Sequence, residues 1–598
     1  RGMQHHRDND GEVDVCDEEA LDADSSGPLR FRFSWRRLWR FTGPAWLMSL
    51  AYLDPGNLEG DLQQGAYTGV RLVWVLWWAT VMGLLLQEMS ARIAIVTGRD
   101  LAQLVREHYP RWLNYTIYAM MEIAVIGSDI QEVVGSAIAL NLLSNQAIPV
   151  WAGCIITGLD TLTFLAVQVL GIRYLEGLIC LFIGAMSACF ILNWGHAPPT
   201  GDRLLVGWAV PAMQAWAVTQ AVGTIGAVIM PHNLYLHSGL VLSRRVRHGS
   251  RQALHDAIWY SRIESAGALL LAFLVNLAVV ATNAGSFYNA DCAALLGGPF
   301  ACLTPEAFNR SSDPGQQGQG QPCSLPGRAE PASGRCGALG LQAEGFALQG
   351  VLGPAALYVW AAGLLAAAQA STMACTYAGQ IIMGGCVHIQ LRPWKRVAIT
   401  RLAALGPALL VSTATISEQS LFNNINEYLN VLQSVQLPFA MLPVLHFAAS
   451  PALLGEFRSS SVYLGFTVLL AMLVIAVNVY LIVSFLQDPD LGSVGLTAAA
   501  CVYALFYFAV CLRMVWSDVA GMARCAGLCG RADSMASGAP QPAGGGDGTS
   551  AFTASAFTAS AFTTPLRPAE APAASAPDSD GPLIADRLKP AGRPPGAG

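Results

Sequence analysis

The chain has 598 residues, 53% hydrophobic and 12% charged, with a formal net charge of −6 and mean hydropathy +0.43. A soluble domain carries about 25% charged residues, so the composition excludes a soluble globular protein. With an acidic balance and basic residues gathered at helix ends, no face suits nucleic acid.

Residues 1–40 are polar: an acidic run from Asp8 to Asp24 is followed by Arg30, Arg32, Arg36, Arg37 and Arg40. This segment lacks the short apolar core of a cleavable signal peptide. It is expected to be a disordered N-terminus, cytosolic because basic residues flank the first span. From about Phe41 to Trp516 the apolar runs predict about twelve spans of roughly 20 residues. They are placed at 42–67, 71–96, 112–143, 150–170, 174–194, 214–242, 258–283, 346–386, 396–415, 423–449, 460–486 and 492–516. The third and eighth are long enough to tilt or to project beyond the membrane. Arg99, Arg106 and Arg111 lie between spans two and three, Arg244, Arg245, Arg247 and Arg251 between six and seven, and Arg392, Lys395 and Arg396 between eight and nine. All three are even-to-odd connections, so the positive-inside rule makes both termini cytosolic.

The loop at about 284–345 is rich in Gly, Gln, Pro and Ser and is expected to be largely irregular and non-cytosolic. It holds Cys292, Cys302, Cys323 and Cys336, candidates for disulfides with three connectivities open. Its sequon Asn309-Arg310-Ser311 is a candidate glycosylation site, whereas Asn114-Tyr115-Thr116 falls inside or in a helix and is discounted. Cys154, Cys180, Cys189, Cys375, Cys386, Cys501 and Cys511 lie in apolar spans and read as small buried hydrophobes. Residues 517–598 include three copies of Ser-Ala-Phe-Thr between Ser550 and Thr563 and a Pro/Ala-rich end. A disordered cytosolic tail is expected there; its Cys525 and Cys529 are candidates for palmitoylation by location alone.

Two spans are interrupted alike, the first by Asp54-Pro55-Gly56-Asn57 and the sixth by Met230-Pro231-His232-Asn233. Proline lacks a backbone donor and displaces the carbonyl one turn back. In hydrocarbon such carbonyls persist only where they face a cavity, a partner group or an ion. Paired breaks in the two halves of a membrane protein point to a transport site. Gly56 lets the chain leave helical geometry, and Asn57 sets an amide oxygen near the Asp54 carboxylate. Met230 offers a polarisable sulfur, and Pro231 frees the carbonyl of Ala227. This is a mixed O/O/O/S shell. Thioether suits softer transition metals, whereas Mg²⁺ and Ca²⁺ prefer oxygen. Taken singly, Met is packing, Pro a kink and a membrane Asp an ion-pair partner; the doubled break outweighs these separate readings.

Glu122, Asp129 and Glu132, spaced by seven and three, share a face of the third span, with Arg401 of the ninth as countercharge. Carboxylate–histidine–arginine sets mark proton relays in membranes. His232 adjoins the break, and His237 is either a relay member or a polar contact one turn on. An ion-pair network locking span three to span nine is the structural alternative.

The first break and the stretch Met230-Pro231-His232-Asn233-Leu234-Tyr235-Leu236-His237-Ser238 resemble the signature first and sixth helices of the Nramp family, proton-coupled divalent metal transporters. Residues Gly127 to Gly135 resemble that family's third helix and Asn430 to Ala440 its tenth; the similarity runs from about Phe41 to Trp516. The resemblance implies an all-α polytopic membrane protein of the sodium-coupled amino-acid transporter fold. Spans 1–5 (about 42–194) and 6–10 (about 214–449) would be inverted five-helix repeats with helices 1 and 6 broken, and spans 11 and 12 (about 460–516) peripheral. It implies Asp54, Asn57, Met230 and the Ala227 carbonyl as metal ligands, with the Ala51 carbonyl joining in an outward-facing state and Asn430 in an occluded one. It puts Asp129, Glu132, His232 and Arg401 on a proton pathway.

The implied function is symport of protons with Mn²⁺ or Fe²⁺, with Cd²⁺ admitted, toward the cytosol by alternating access. The bilayer, the metal ions and protons are the expected partners, a monomer the expected state, and the plasma, endosomal or vacuolar membrane the expected location; no cofactor and no enzymatic role are implied. A sodium-coupled organic-solute symporter would carry a small-residue nest where this chain has an anionic Asp54. A non-transporting metal receptor would bind without flux. An intramembrane hydrolase is disfavoured because neither His-Glu-x-x-His nor Gly-x-Ser-x-Gly occurs.

Overall fold

The computed structural model describes residues 13–14, 29–49, 52–159, 172–196, 201–295, 299–311, 319–326, 333–387, 393–414, 419–486, 498 and 501–515. The chain divides into units Arg1–Gly527 and Leu528–Gly598, and every described residue belongs to the first. Ala51, the Arg401 side chain and the tail at 517–598, with Cys525 and Cys529, lie outside the described residues.

In chain order, α1 (Trp35–Phe41) precedes two half-helices, α2 (Pro44–Ser49) and α3 (Pro55–Thr68), which share the first span. Span two is α4 (Val73–Thr97), and α5 (Leu101–His108) leads to span three, α6 (Arg111–Leu143). Next come α7 (Val150–Leu159), α8 (Ile172–His196) and α9 (Gly201–Ala209). The sixth span again comes in halves, α10 (Val218–Val228) and α11 (Pro231–Val241), followed by α12 (Arg251–Phe287). The long loop adds α13 (Ala290–Ala293) and α14 (Pro305–Ser311). Beyond it lie α15 (Leu341–Leu352), α16 (Pro354–Val387), α17 (Pro393–Ala414), α18 (Gln419–Gln436), α19 (Pro438–Ala449), α20 (Pro451–Leu454), α21 (Ser461–Leu486) and α22 (Cys501–Val515). Among the described residues six helices are long and apolar enough to cross a membrane: α4, α6, α12, α16, the joined α18–α19 and α21.

Three expectations change. The eighth span, expected as one run over 346–386, is two helices: Gly353 turns the chain at φ 97° and Pro354 starts α16. Proline suits a first helical turn, where its missing donor costs nothing. Within the polar N-terminal segment, the described residues 29–40 are ordered. Its Ser34 amide donates to Tyr260 Oη at 2.9 Å, α1 follows, and Phe41 stacks on the Tyr260 ring. A two-residue strand β1 (Val13–Asp14) pairs in parallel with β2 (Arg244–Arg245).

The third change is the loop. It is built on an antiparallel sheet of β3 (Ala301–Leu303), β4 (Pro322–Ser324) and β5 (Ser333–Gly337), with β5 central. Disulfides join Cys292 to Cys336 and Cys302 to Cys323. Together with Phe300 and Leu325 these cysteines form a small separate core. The composition concealed this order, because crosslinks rather than apolar strands supply it. Asn309 is exposed on α14.

At the arginine-rich end, buried Glu88 of α4 accepts from Arg262 of α12 at 2.8 Å and from Tyr463 of α21 at 2.9 Å, and pairs with Arg92. Arg244 donates to the carbonyl of Thr42 at 2.9 Å. Such links tie α4, α12 and α21 into a frame around the two broken spans.

Candidate functional site

Each broken span restarts in the same way. Asp54 is the N-cap of α3 and Met230 the N-cap of α11, both extended, and proline follows at the first helical position. The Asp54 carboxyl group accepts from the amides of Asn57 (3.0 Å) and Gly56 (3.3 Å), so a buried acidic side chain sits at the positive end of a helix. Above the second break, the Ala227 carbonyl stands four residues before Pro231, which has no N–H to give it. Its partner comes from the other break: Asn57 Nδ2 donates to it at 2.9 Å.

The same Nδ2 also donates to Asp54 Oδ1, so one amide group bridges a carboxylate and an orphaned carbonyl. Asn57 Oδ1 is buried and accepts no hydrogen bond among the described residues. Rotating the amide by half a turn would set three oxygens against one another, an arrangement that repels itself unless a cation stands between them. Asp54, Asn57, Ala227, Met230 and Asn430 each expose 1% or less, which makes this an occluded centre.

Asn430 of α18 closes one flank, donating to the Gly56 carbonyl at 2.8 Å and accepting from Gln131 Nε2 at 2.8 Å. Gln433 in turn donates to Gln131 Oε1 at 3.0 Å. α10 approaches α18 closely because Gly226 faces the Asn430 carbonyl; a Cβ there would overlap backbone. The first half-helix is held by a carboxylate from elsewhere: Glu264 of α12 accepts from the amides of Gly43 (2.6 Å) and Ala45 (3.1 Å).

Contacts close the centre on both sides. Toward the disulfide-linked loop, Glu59 accepts from the Leu341 amide at 2.9 Å, Tyr67 Oη accepts from the Leu339 amide at 2.9 Å, and Thr224 donates to Gln64 at 3.0 Å. Toward the arginine-rich end, Ser90 donates to the Leu234 carbonyl at 2.6 Å and Ser238 accepts from the Leu101 amide at 2.9 Å.

A second polar cluster lies beside the first. Glu132 accepts from Ser371 of α16 at 2.8 Å and from Ser128 at 3.3 Å. Cys375 of α16 donates to Ser128 Oγ at 3.1 Å and lies 3.6 Å from His232 Nε2. Carboxylate oxygens of Asp129 and Glu132 and the Cys375 sulfur all fall within 4.8 Å of one another.

The sequence-predicted residues therefore divide. Asp54, Asn57 and Ala227 are in direct contact, Asn430 touches the break through Gly56, and Met230 is buried at its own cap three residues beyond Ala227. Asp129, Glu132 and His232 share the second cluster. His237 does not join it: its Nδ1 faces Gln87 of α4 at 3.5 Å, and Gln87 accepts from Tyr52 at 3.3 Å. Glu122 is only partly buried, two turns before Asp129 on α6. Cys375, read from sequence as a small buried hydrophobe, is a polar member of the second cluster. Ser371 and Glu264 carried no sequence signal beyond being polar within apolar spans, whereas Gln131 and Gln433 lie in the stretches that resemble the family's third and tenth helices.

Paired broken helices, facing one another across an occluded polar centre among membrane-length helices, define a polytopic helical membrane protein of the inverted-repeat transporter fold. Residues 45–305 and 333–484 match the family described as Natural resistance-associated macrophage protein-like, and the chain belongs to this Nramp family. It is 40% identical over 506 residues to metal transporter Nramp4 of Arabidopsis thaliana, covering 84% of this chain and 90% of that one. Metal transporter Nramp2 of Populus trichocarpa is 42% identical over 477 residues, covering 79% and 80%. The crystal structure of the Eremococcus coleocola manganese transporter is similar with TM-score 0.64 at 26% identity, over 82% of this chain and 99% of that one.

Proposed function

We propose that the chain is a secondary active transporter, not an enzyme, that moves Mn²⁺ and Fe²⁺, with Cd²⁺ admitted, toward the cytosol together with protons. The observation that carries this reading is the Asn57 amide bridging the Asp54 carboxylate and the Ala227 carbonyl, which sets donors from two broken helices at one buried point. The metal is the cargo. Turned over, the Asn57 amide presents Oδ1, and with Asp54, the Ala227 carbonyl and the Met230 sulfur it replaces lost hydration. The Ala51 carbonyl contributes in the outward-facing state. Thioether favours Mn²⁺ and Fe²⁺ over Ca²⁺, for which an all-oxygen cage would serve better.

Protons pass by way of Asp54 or His232 toward Asp129, Glu132 and Arg401, the last a countercharge. Glu122 and His237 stand off this route and act as flanking polar contacts. Alternating access proceeds as the α2–α3 and α10–α11 pairs rock against the surrounding frame. This breaks the Glu59–Leu341 and Gln64–Thr224 contacts on one side or the Ser90–Leu234 and Leu101–Ser238 contacts on the other. The positive-inside pattern puts the disulfide-linked loop on the non-cytosolic side, where its bridges and Asn309 glycosylation suit an oxidising compartment. A monomer holds the whole site.

The deciding experiment is radiotracer Mn²⁺ uptake into proteoliposomes holding the full-length chain, with and without an inward proton gradient. Gradient-stimulated uptake and matching internal acidification are expected. Metal flux without accompanying proton flux would remove the symport reading, and binding without flux would favour a receptor.

A further inference from the structure

We propose that Cys375, His232, Asp129 and Glu132 form a second metal site, which takes Zn²⁺ or Cd²⁺ beside the transport break rather than within it. The four come from three helices, α6, α11 and α16, and expose 2% or less of their surface. They offer a thiol, an imidazole and two carboxylates, a donor set that suits borderline and soft divalent metals.

One edge of the cluster already matches a tetrahedral ion. With Zn–S of about 2.3 Å and Zn–N of about 2.0–2.1 Å, the sulfur-to-nitrogen edge of a tetrahedron is about 3.5 Å. Cys375 Sγ and His232 Nε2 stand 3.6 Å apart. The Asp129 and Glu132 oxygens lie within 4.8 Å of the sulfur and of each other, wider than a tetrahedral edge, and the imidazole meets the group through the sulfur, so the two carboxylates draw in toward the Cys375–His232 edge on binding. The imidazole also has little else to do. Among the described residues the Cys375 thiol is its one hydrogen-bonding partner, and its Nδ1 is buried with none.

Selectivity then follows from ligand softness. Mn²⁺ stands lowest in the divalent affinity order and gains least from a thiolate, whereas Zn²⁺ and Cd²⁺ gain most. On binding, the thiol gives up its proton to solvent and the sulfur bonds the metal. A metal parked here occupies His232, Asp129 and Glu132 together, so it inhibits uptake of Mn²⁺ without competing for Asp54 and Met230.

Cadmium titration of the purified full-length protein tests the site without any transport measurement, through the thiolate-to-cadmium charge-transfer absorption. The wild type and Asp54→Asn are expected to show one equivalent more of this absorption than Cys375→Ser, the remaining thiols contributing equally to all three. In proteoliposomes, the Zn²⁺ concentration that halves Mn²⁺ uptake, scaled to each variant's own rate, is expected to rise at least tenfold in Cys375→Ser. Equal cadmium absorption in the wild type and Cys375→Ser would overturn the site. Should the serine variant fail to fold, zinc X-ray absorption on Asp54→Asn reads the shell directly, and a shell without sulfur and imidazole nitrogen would overturn it equally.

Discussion

Asn57 donates its side-chain amide to the carbonyl of Ala227, 170 residues away in sequence, at 2.9 Å. This bond exists because Pro231 cannot supply the donor that an unbroken helix would give Ala227. It joins the two broken spans through groups that a cation would otherwise hold, and the first predictions turn on it.

Asp54→Asn separates charge from structure. Asparagine caps a helix about as well as aspartate, so the thermal midpoint of the metal-free protein is expected to stay close to wild type. Mn²⁺ at 100 times its Kd stabilises a one-site protein by about 2.7 kcal/mol. That stabilisation, and Mn²⁺ uptake, are expected in the wild type and absent in the variant. Thermal shift and tracer flux check both, and wild-type uptake by Asp54→Asn would eliminate the proposed site.

Met230→Ala removes the sulfur but no charge. Discrimination of Mn²⁺ against Ca²⁺ is expected to fall by about tenfold, equivalent to about 1.4 kcal/mol, with Ca²⁺ entry rising. Competition of labelled Mn²⁺ uptake by Ca²⁺ reads this; unchanged discrimination would leave Met230 as packing alone.

Glu132→Gln keeps the hydrogen-bonding shape toward Ser371 and Ser128 while removing a proton acceptor. Metal binding by thermal shift is expected to persist, and uptake is expected to lose its stimulation by an inward proton gradient. A variant with full gradient dependence would assign Glu132 to the structural network between helices.

Gly226 and Gly223 make a paired test of the α10–α18 contact. A Cβ at Gly226 would meet the Asn430 carbonyl and the Ser434 amide, whereas one at Gly223 would lie 3.9 Å from Asn430 Cβ, an ordinary contact. Gly226→Ala is expected to cost about 1–3 kcal/mol through overpacking and to lower uptake sharply. Gly223→Ala is expected to resemble wild type. Thermal midpoints and flux measured side by side would expose equal behaviour if the contact is slack.

The loop predicts a chemical result. Non-reducing peptide mapping is expected to find Cys292 with Cys336 and Cys302 with Cys323. Cys336→Ser is expected to make the segment protease-sensitive, because the bridge closes a stretch of 44 residues and loop-closure entropy of that size amounts to about 3–5 kcal/mol. Other pairings on the map would refute the arrangement.

Much of the molecule could be read from local chemistry. Apolar runs of bilayer length marked the six described helices that are long enough to cross a membrane, since hydrocarbon accepts little else. Asp-Pro-Gly-Asn and Met-Pro-His-Asn marked the breaks, since proline ends a helix wherever it falls. The eighth span was less legible, because Gly353 and Pro354 interrupt it without leaving the apolar run.

What sequence alone determined, then, was where helices stop and which donors stand at the stops, both set by residues within a turn of each other. Only the tertiary structure decided which donors meet: Asn57 with Ala227, Asn430 with Gly56, Cys375 with His232, and Cys292 with Cys336. Those partners are separated by 44 to 374 residues, and their approach depends on close backbone contacts such as Gly226 against Asn430. A serine, glutamine or cysteine inside an apolar helix reads the same whether it faces lipid, a neighbour or an ion. Packing chooses among these, because a buried polar group must find a partner somewhere and the chain order does not say where.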